Sequence, residues 1–353
     1  MISKNTVLIL GAGSSMDFGF PSGDELAYEI SRYGSRHLIN DAFARENNID
    51  WTEVKSFKQA LSISQLSVDT FLENRADESF YKIGRLAIAK VLLTCEVSDR
   101  LFIGKPPYEN FERNRTSNRR PPNWYKLLWN RLVEVPEQET NEDTLSHLFD
   151  RFDQNRLSVI TFNYDRSLER FLNVALECTT GEGSAECAKK ISESIPIIHV
   201  YGSLGPLLAG DGEVEVPYNS KGQGSFVLRS WENIDLVRRS KERNKYFVKA
   251  DKLLLEAEGI VFLGFGFDQT NFRRLQLSKD MPAFHANRLL GTAMGLPATT
   301  HEVLADIRDV DGNRAFFELL DTTIYDYLYR ADSTFSLPEN EYKQSIRILK
   351  RPR

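Results

Sequence analysis

Four short segments combine glycine with polar side chains, and each follows an apolar run typical of a buried strand. They are GAGSS at 11–15, TFNYD at 161–165, HVYGS at 199–203 and GFGF at 264–267. Open parallel sheets bind ligands in the crevice beyond the carboxyl ends of their strands. An asparagine, an aspartate and a histidine at such ends, beside glycine loops, therefore predict one binding site to which all four segments contribute.

The first segment is typical of a turn that binds phosphate. The apolar run at 6–10 ends at Gly11, and Gly11 and Gly13 would let a phosphate come close to backbone N–H groups. The spacing is shorter than the full GxGxxG fingerprint, and no convincing acidic ribose partner follows about 20 residues later. A nucleotide site and a plain tight turn therefore remain about equally supported. Ser14 and Ser15 either bind phosphate or cap the turn.

The alternation of apolar runs and helical patterns predicts an α/β fold with a doubly wound, Rossmann-like parallel sheet. A capping box at 22–25 predicts that a helix begins after Pro21. The predicted core comprises residues 1–30 and 155–300, a large all-helical insertion comprises residues 31–154, and a C-terminal helical segment and tail comprise residues 301–353. The predicted strands lie at 6–10, 157–161, 195–198, 259–263 and 288–292.

Composition narrows the class of protein. The 353 residues include 45 basic and 50 acidic side chains, and this net charge of −5 argues against bulk attraction to nucleic acid or to an anionic membrane. Arginines at 113–120 and basic residues at 238–245 are better explained as solvated faces than as a nucleic-acid site. With three scattered cysteines, no signal peptide and no apolar run of membrane-spanning length, the expected location is the cytoplasm.

The four segments together resemble a known family. GAGSS followed by Gly19-Phe-Pro21, then TFNYD, IHVYGS and FLGFGF, resemble in the same order the sirtuin-type NAD-binding fold. The tyrosine between Asn163 and Asp165, with SVDTFL at 67–72, is similar to the sirtuin-like NAD hydrolases of prokaryotic antiviral defence. The resemblance covers about residues 5–30 and 155–295. Three cysteines cannot form the four-cysteine zinc ribbon of protein-deacylating sirtuins, so the expectation shifts from deacylation to metal-free cleavage of NAD.

The resemblance implies that NAD is a substrate, cleaved between nicotinamide and ribose to give ADP-ribose and nicotinamide. His199 is then expected to be the general base, and Asn163 to orient the water or a ribose hydroxyl. Asp165 fits a helix cap and a ligand contact equally well, whereas Asp69 is more readily explained as a solvated or capping aspartate. The expected NAD-binding residues are Gly11, Ala12, Gly13, Ser14, Ser15, Asp165, Gly202, Ser203, Gly264 and Gly266.

The resemblance also implies an NAD-depleting effector of anti-phage abortive infection. Such an enzyme must be held inactive until a partner sensor protein or homo-oligomerisation activates it. Two alternatives stay open: a non-catalytic subunit that senses NAD or ADP-ribose, and a zinc-free deacylase of the sirtuin type. A nucleic-acid-binding accessory protein is a weaker third.

Overall fold

The computed structural model describes residues 1–32, 34, 41–46, 48–64, 66–75, 77–103, 123–134, 147–208, 214–236, 244–278, 281–285, 289–296, 317–332 and 334–336. The arginines at 113–120 and most of the basic segment at 238–245 lie outside these residues, so their predicted role as solvated faces stays a prediction. The described residues at 205–208 and 214–223 are irregular.

A single six-stranded parallel sheet forms the centre of the described structure. The strands lie in the order β3-β2-β1-β4-β5-β6, so the chain proceeds outward from β1 in one direction and then returns to continue from β1 in the other. This is the strand order of a doubly wound, Rossmann-like α/β fold. The strands are β1 (Thr6–Leu10), β2 (Leu157–Thr161), β3 (Ile197–His199), β4 (Gly259–Leu263), β5 (Leu289–Thr292) and β6 (Phe317–Leu320).

The central strands are apolar because both faces of the sheet are covered. Every residue of β1 and of β4 is buried, and β1 pairs in register with β2 on one side and β4 on the other. Continuous apolar runs of this kind are expected in parallel sheets with helices on both faces. The register aligns Leu10 with Thr161 and with Leu263, so the loops after these three strands begin at the same level.

Helices account for the regular structure that is described between β1 and β2, together with three short 3-10 turns. The longest of these helices, Glu78–Cys95, packs against the helices Gly23–Arg32, Trp51–Ser62 and Gly224–Ser230. The helices before β2 are α1 (Gly23–Arg32), α2 (Asp41–Glu46), α3 (Trp51–Ser62), α4 (Val68–Glu73), α5 (Glu78–Cys95), α6 (Ser98–Ile103), α7 (Trp124–Val133) and α8 (Leu148–Arg151). Those after β2 are α9 (Ser167–Thr180), α10 (Ser184–Ser194), α11 (Gly224–Ser230), α12 (Lys245–Glu256), α13 (Gln269–Arg274), α14 (Pro282–His285) and α15 (Ile324–Arg330).

Three elements differ from the sequence-based prediction. The sequence predicts a loop near 181–184 and no element from there to 195, but α10 lies there, with a mostly polar sequence that buries only Cys187, Ile191 and Ser194. The sequence also predicts a charged helix from about 231 to 258, whereas the structure has a 3-10 turn at Trp231–Asn233 and a helix, α12, that ends at Glu256. The sheet also continues past residue 300 with β6, in which buried and half-buried residues alternate. With four residues, this strand is too short to give a clear pattern in the sequence.

Candidate functional site

A cavity of about 420 Å³ opens beyond the carboxyl ends of β1, β2 and β4, where the strand order reverses. Open α/β sheets bind ligands at this position, and small-molecule sites typically occupy about 300–1,000 Å³. Loops after the strands form the floor, and the beginnings of α1 and α4 complete the wall. The lining includes Gly11, Ala12, Ser15, Asp24, Asp69, Phe162, Asn163, Tyr164, Asp165, Tyr201, Gly266, Asp268 and Asn271.

The loops that follow β1 and β4 are fastened to each other. The Gly13 N–H donates to the Gly264 carbonyl over 3.0 Å, and the Gly11 N–H donates to the Leu263 carbonyl over 3.2 Å. A Cβ atom on Gly11 would lie 2.6 Å from the Gly264 carbonyl oxygen, so only glycine permits this approach. Glycine is therefore required at Gly11 and Gly264 by loop packing, whether or not a ligand is bound.

Unpaired backbone donors lie beside the cavity, among them those of Ala12 and Gly266. Within the described residues, the N–H groups of Ala12 and Gly266 donate to no acceptor, and both residues line the cavity. Unpaired backbone N–H groups in loops at strand ends form the type of site that binds phosphate oxygens. This part of the cavity can therefore hold an anion without a basic side chain.

The amide group of Asn163 fastens the loop after β2 to the loop after β1. Its Nδ2 lies 3.0 Å from the Gly11 carbonyl oxygen, 3.0 Å from Ser14 Oγ and 3.1 Å from Ser15 Oγ. The two amide hydrogens are thus fully used, whereas Oδ1 accepts no hydrogen bond from a described residue. Asn163 lines the cavity, so its Oδ1 is the atom available to orient a water or a hydroxyl.

Asp165 bonds to the first turn of α9 and also lines the cavity, whereas its contact with a ligand stays a prediction. Its Oδ1 accepts a 3.1 Å hydrogen bond from the Ser167 N–H at the beginning of α9, and a short one from the Ser167 hydroxyl. Its Oδ2 accepts a 2.8 Å hydrogen bond from Ser15 Oγ. Burial raises the pKa of Asp165, and these serine donors oppose that rise. Asp165 therefore holds the first helical turn to the glycine loop at the edge of the cavity.

His199 does not line the cavity, although it contacts a residue that does. Its Nδ1 lies 2.7 Å from the Asn163 backbone carbonyl oxygen, and its Nε2 lies 2.5 Å from Glu169 Oε1 on α9. Burial lowers the pKa of His199, but Glu169 and the Asn163 carbonyl outweigh burial and raise it overall. Both ring nitrogens therefore have partners within the protein, and the hydrogen bond from His199 to the Asn163 carbonyl helps to position Asn163.

Gly202 and Ser203 also lie away from the lining. Gly202 has a left-handed backbone, and it pairs in a β-bridge with Ile234. A Cβ atom on Gly202 would lie 1.9 Å from the Asn233 carbonyl oxygen, which explains the glycine by packing. Ser203 Oγ accepts a hydrogen bond of 3.3 Å from the Gly205 N–H.

Half of the predicted site residues thus line one cavity. Those that the structure brings together there are Gly11, Ala12, Ser15, Asn163, Asp165 and Gly266, and those that stand behind it are Gly13, Ser14, His199, Gly202, Ser203 and Gly264. The catalytic and NAD-binding roles assigned to them stay predictions.

The sequence-based search missed a second polar cluster in the same cavity. The Tyr201 hydroxyl donates to Asn271 Oδ1 and accepts a hydrogen bond from Arg274, which forms a fork with Glu73 over 2.6 and 3.0 Å. Tyr201 could have been found, since it directly precedes Gly202 at a strand end. Asn271, Arg274 and Glu73 are helical residues without a motif, so only the tertiary structure brings them to the site.

The cavity has an acidic and aromatic lining. Among the described residues that line it, Asp24, Asp69, Asp165 and Asp268 are the charged ones, and none is basic. Such a lining favours a ligand whose buried part carries hydroxyl groups or a positive charge.

The chain matches no protein-family model, and no curated protein matches its sequence. In the described residues, no helix combines the length and the apolar composition that a membrane span requires. No group of three or more His, Cys, Asp or Glu side chains in that part of the chain is arranged as metal ligands would be.

Proposed function

We propose that this chain is an NAD glycohydrolase, which cleaves NAD into ADP-ribose and nicotinamide. The observation that carries the proposal is the combination of an acidic, aromatic cavity at the reversal of strand order with unpaired backbone N–H groups at its edge. NAD has the matching pattern, because its nicotinamide ring is cationic, its riboses carry hydroxyl groups and its pyrophosphate is anionic.

The reaction needs little from the protein beyond this environment. Loss of nicotinamide leaves an oxocarbenium-like ribose, as in glycoside hydrolysis, and nearby carboxylates such as Asp69 and Asp165 favour that positive charge. Asn163 Oδ1 would orient the ribose or the attacking water. His199 would hold Asn163 through its backbone carbonyl, with Glu169 fixing the other ring nitrogen.

The resemblance to the sirtuin-like defence enzymes supports a biological setting for this activity. The chain would deplete NAD in the cytoplasm of an infected cell, after activation by a partner protein or by assembly into a homo-oligomer. Its substrate would be NAD itself, with no metal required.

A non-catalytic NAD or ADP-ribose sensor is the second candidate, and the position of His199 favours it. Both partners of the His199 ring are acceptors, the Asn163 carbonyl and the Glu169 carboxylate, so a ring that donates to both has no lone pair with which to take a proton from water. The cavity would then bind the nucleotide and pass its occupancy to a partner.

Nicotinamide release separates the two candidates. The purified chain is incubated with NAD, alone and in lysate from phage-infected cells, and products are followed by chromatography while calorimetry measures binding. The hydrolase predicts nicotinamide and ADP-ribose in equal amounts; binding without products in both conditions would establish the sensor instead.

Two substitutions test the assigned roles. We expect Asn163→Ala and His199→Ala each to abolish turnover in a protein that remains folded. His199→Asn, which keeps a donor for the Asn163 carbonyl, is expected to recover part of the activity if His199 positions Asn163. Full activity in Asn163→Ala would contradict the role of that amide.

A further inference from the structure

The proposed hydrolysis needs a group that takes a proton from water, and Asp69 has the geometry for it. Asp69 lies on α4 in the helical segment between β1 and β2, and its side chain lines the same cavity as Asn163. Helix capping does not explain this aspartate. The N-cap of α4 is Ser67, whose hydroxyl accepts a hydrogen bond from the Thr70 N–H over 3.3 Å.

One oxygen of Asp69 is held and the other is available. The Tyr164 hydroxyl donates a short hydrogen bond to Asp69 Oδ1, and Tyr164 belongs to the loop after β2. Burial and the neighbouring Asp69 raise the pKa of Tyr164 well above its usual value, so this phenol stays a donor. Apart from the backbone N–H of Asp69 itself, no other described group donates to this carboxylate, so Oδ2 is able to accept a proton.

The other carboxylates around the cavity are committed or exposed. Asp165 uses both oxygens for serine donors, and Glu73 uses both for Arg274. Asp268 caps α13 through the Thr270 and Asn271 N–H groups, whereas Asp24 is exposed in the first turn of α1. Asp69 is therefore the half-buried carboxylate of this lining with a free oxygen.

We propose that Asp69 is the general base for the hydrolysis of NAD in this cavity, an inference that rests on the proposed function. The bond between nicotinamide N1 and ribose C1′ breaks, and its electron pair neutralises the nicotinamide ring. Water forms a new C–O bond at C1′, and its proton passes to Asp69 Oδ2 and then to solvent. The products are nicotinamide, ADP-ribose and one proton.

The charges around Asp69 suit this task. Burial and, to a smaller extent, Glu73 raise the pKa of Asp69, while Tyr164 and the Arg274 guanidinium lower it, and the net result is a pKa of about 6. A base with a pKa slightly below the working pH is ionised and still accepts a proton readily. Arg274 and Glu73 form a bidentate ion pair, so the effects of their opposite charges on the pKa of Asp69 largely cancel.

Asp69→Asn tests the proposal, because it keeps the shape of the side chain and removes the base. We expect kcat to fall by about 10²–10⁴-fold, with the Kd for NAD, measured by calorimetry, changed by less than about threefold. The wild-type kcat is expected to decline below a pH near 6, and the residual activity of the variant should lack that decline. Glu193→Gln, an exposed carboxylate on α10, is the matched control and should behave as wild type.

Tyr164→Phe tests the pH dependence of kcat, which a loss of packing alone would not shift. Removing the hydroxyl takes away a donor that lowers the pKa of Asp69, so the acidic decline of kcat should move to higher pH. An Asp69→Asn enzyme that keeps its kcat within about threefold, or keeps the acidic decline, would overturn the assignment while leaving the NAD hydrolase in place. If the wild-type protein releases no nicotinamide in any condition, both the role of Asp69 and the proposed NAD hydrolase activity are wrong.

Discussion

Two glycines in the loop after β4 allow a matched test of how the site is built. Gly264 has a φ of +60°, and a Cβ atom there would lie 2.2 Å from the Ser14 backbone nitrogen and 2.4 Å from the Gly13 carbonyl carbon. Gly266, two residues later, has nothing within 4 Å of its Cβ position, and it lines the cavity. The same change to alanine should therefore act on stability at Gly264 and on ligand binding at Gly266.

The expected magnitudes differ clearly. Alanine at Gly264 adds about 1–2 kcal/mol for the left-handed backbone and about 1–3 kcal/mol for overpacking against backbone that cannot move aside. The sum, about 2–5 kcal/mol, is a large part of the 5–15 kcal/mol by which most domains are stable. Alanine at Gly266 should change the free energy of unfolding by no more than about 0.5 kcal/mol, as at an open surface position.

Urea unfolding followed by circular dichroism measures the first effect. For a slope of about 3 kcal/mol per M, a loss of 3 kcal/mol lowers the midpoint by about 1 M. Calorimetry with NAD measures ligand binding by the Gly266 variant. We expect Gly266→Ala to raise the Kd for NAD by about tenfold or more, because a steric cost of about 1.4 kcal/mol in the cavity corresponds to a tenfold change. A Gly264→Ala protein with a wild-type midpoint would refute the close packing of the two loops.

Two further substitutions test ion pairs behind the cavity. Glu96 and Arg166 form a buried fork over 3.0 and 2.5 Å, so Glu96→Gln should cost about 3–5 kcal/mol in urea unfolding by leaving a buried guanidinium without its counter-charge; a change below 1 kcal/mol would contradict this. Burial lowers the pKa of His199, but the Glu169 carboxylate raises it by more, so the pKa in the folded state lies above the value of about 6.5 in the unfolded state. A raised pKa stabilises the fold at pH values below about 6.5, and this stabilisation is lost as the pH rises through the pKa of the folded state. Glu169→Gln should therefore destabilise the protein by about 1.5–3 kcal/mol at pH 5.5 and much less at pH 9, and equal losses at both values would show that the histidine is not charged in the folded state.

The sheet was predictable where strands are apolar and end at distinctive residues. The runs at 6–10, 157–161 and 259–263 coincide with β1, β2 and β4, because strands buried on both faces leave a continuous apolar signature. The strand order was not available from such runs, since nothing local says that β4 returns to pair with β1. Helix α10 and strand β6 were missed because the first is mostly polar and the second has four residues.

The site was predictable in its location and only partly in its members. Residues at strand ends converge because parallel strands end at one edge, and Asn163 and Asp165 accordingly line the same cavity, whereas their roles stay predictions. The direction of a side chain near a strand end depends on the turn that follows, however: β3 ends at His199, which bonds to Glu169 on α9, whereas Tyr201 in the following turn reaches the lining. Residues on helices, such as Asp69 and Arg274, have no strand-end signal at all.

The helices between β1 and β2 are part of the site rather than an addition to it. Three polar links join them to the rest of the fold: Asp69 to Tyr164 in the loop after β2, Glu73 to Arg274 on α13, and Glu96 to Arg166 before α9. Each link uses a carboxylate that has been at least half withdrawn from water, so each is costly unless its partner is in place. The helices between β1 and β2 carry the acids, and segments that follow β2 and β4 carry the hydroxyl and guanidinium partners, so neither part has a satisfied polar interior without the other. It follows that a sheet stripped of these helices would lose the acidic wall of the cavity together with the restraint on the loops that form its floor.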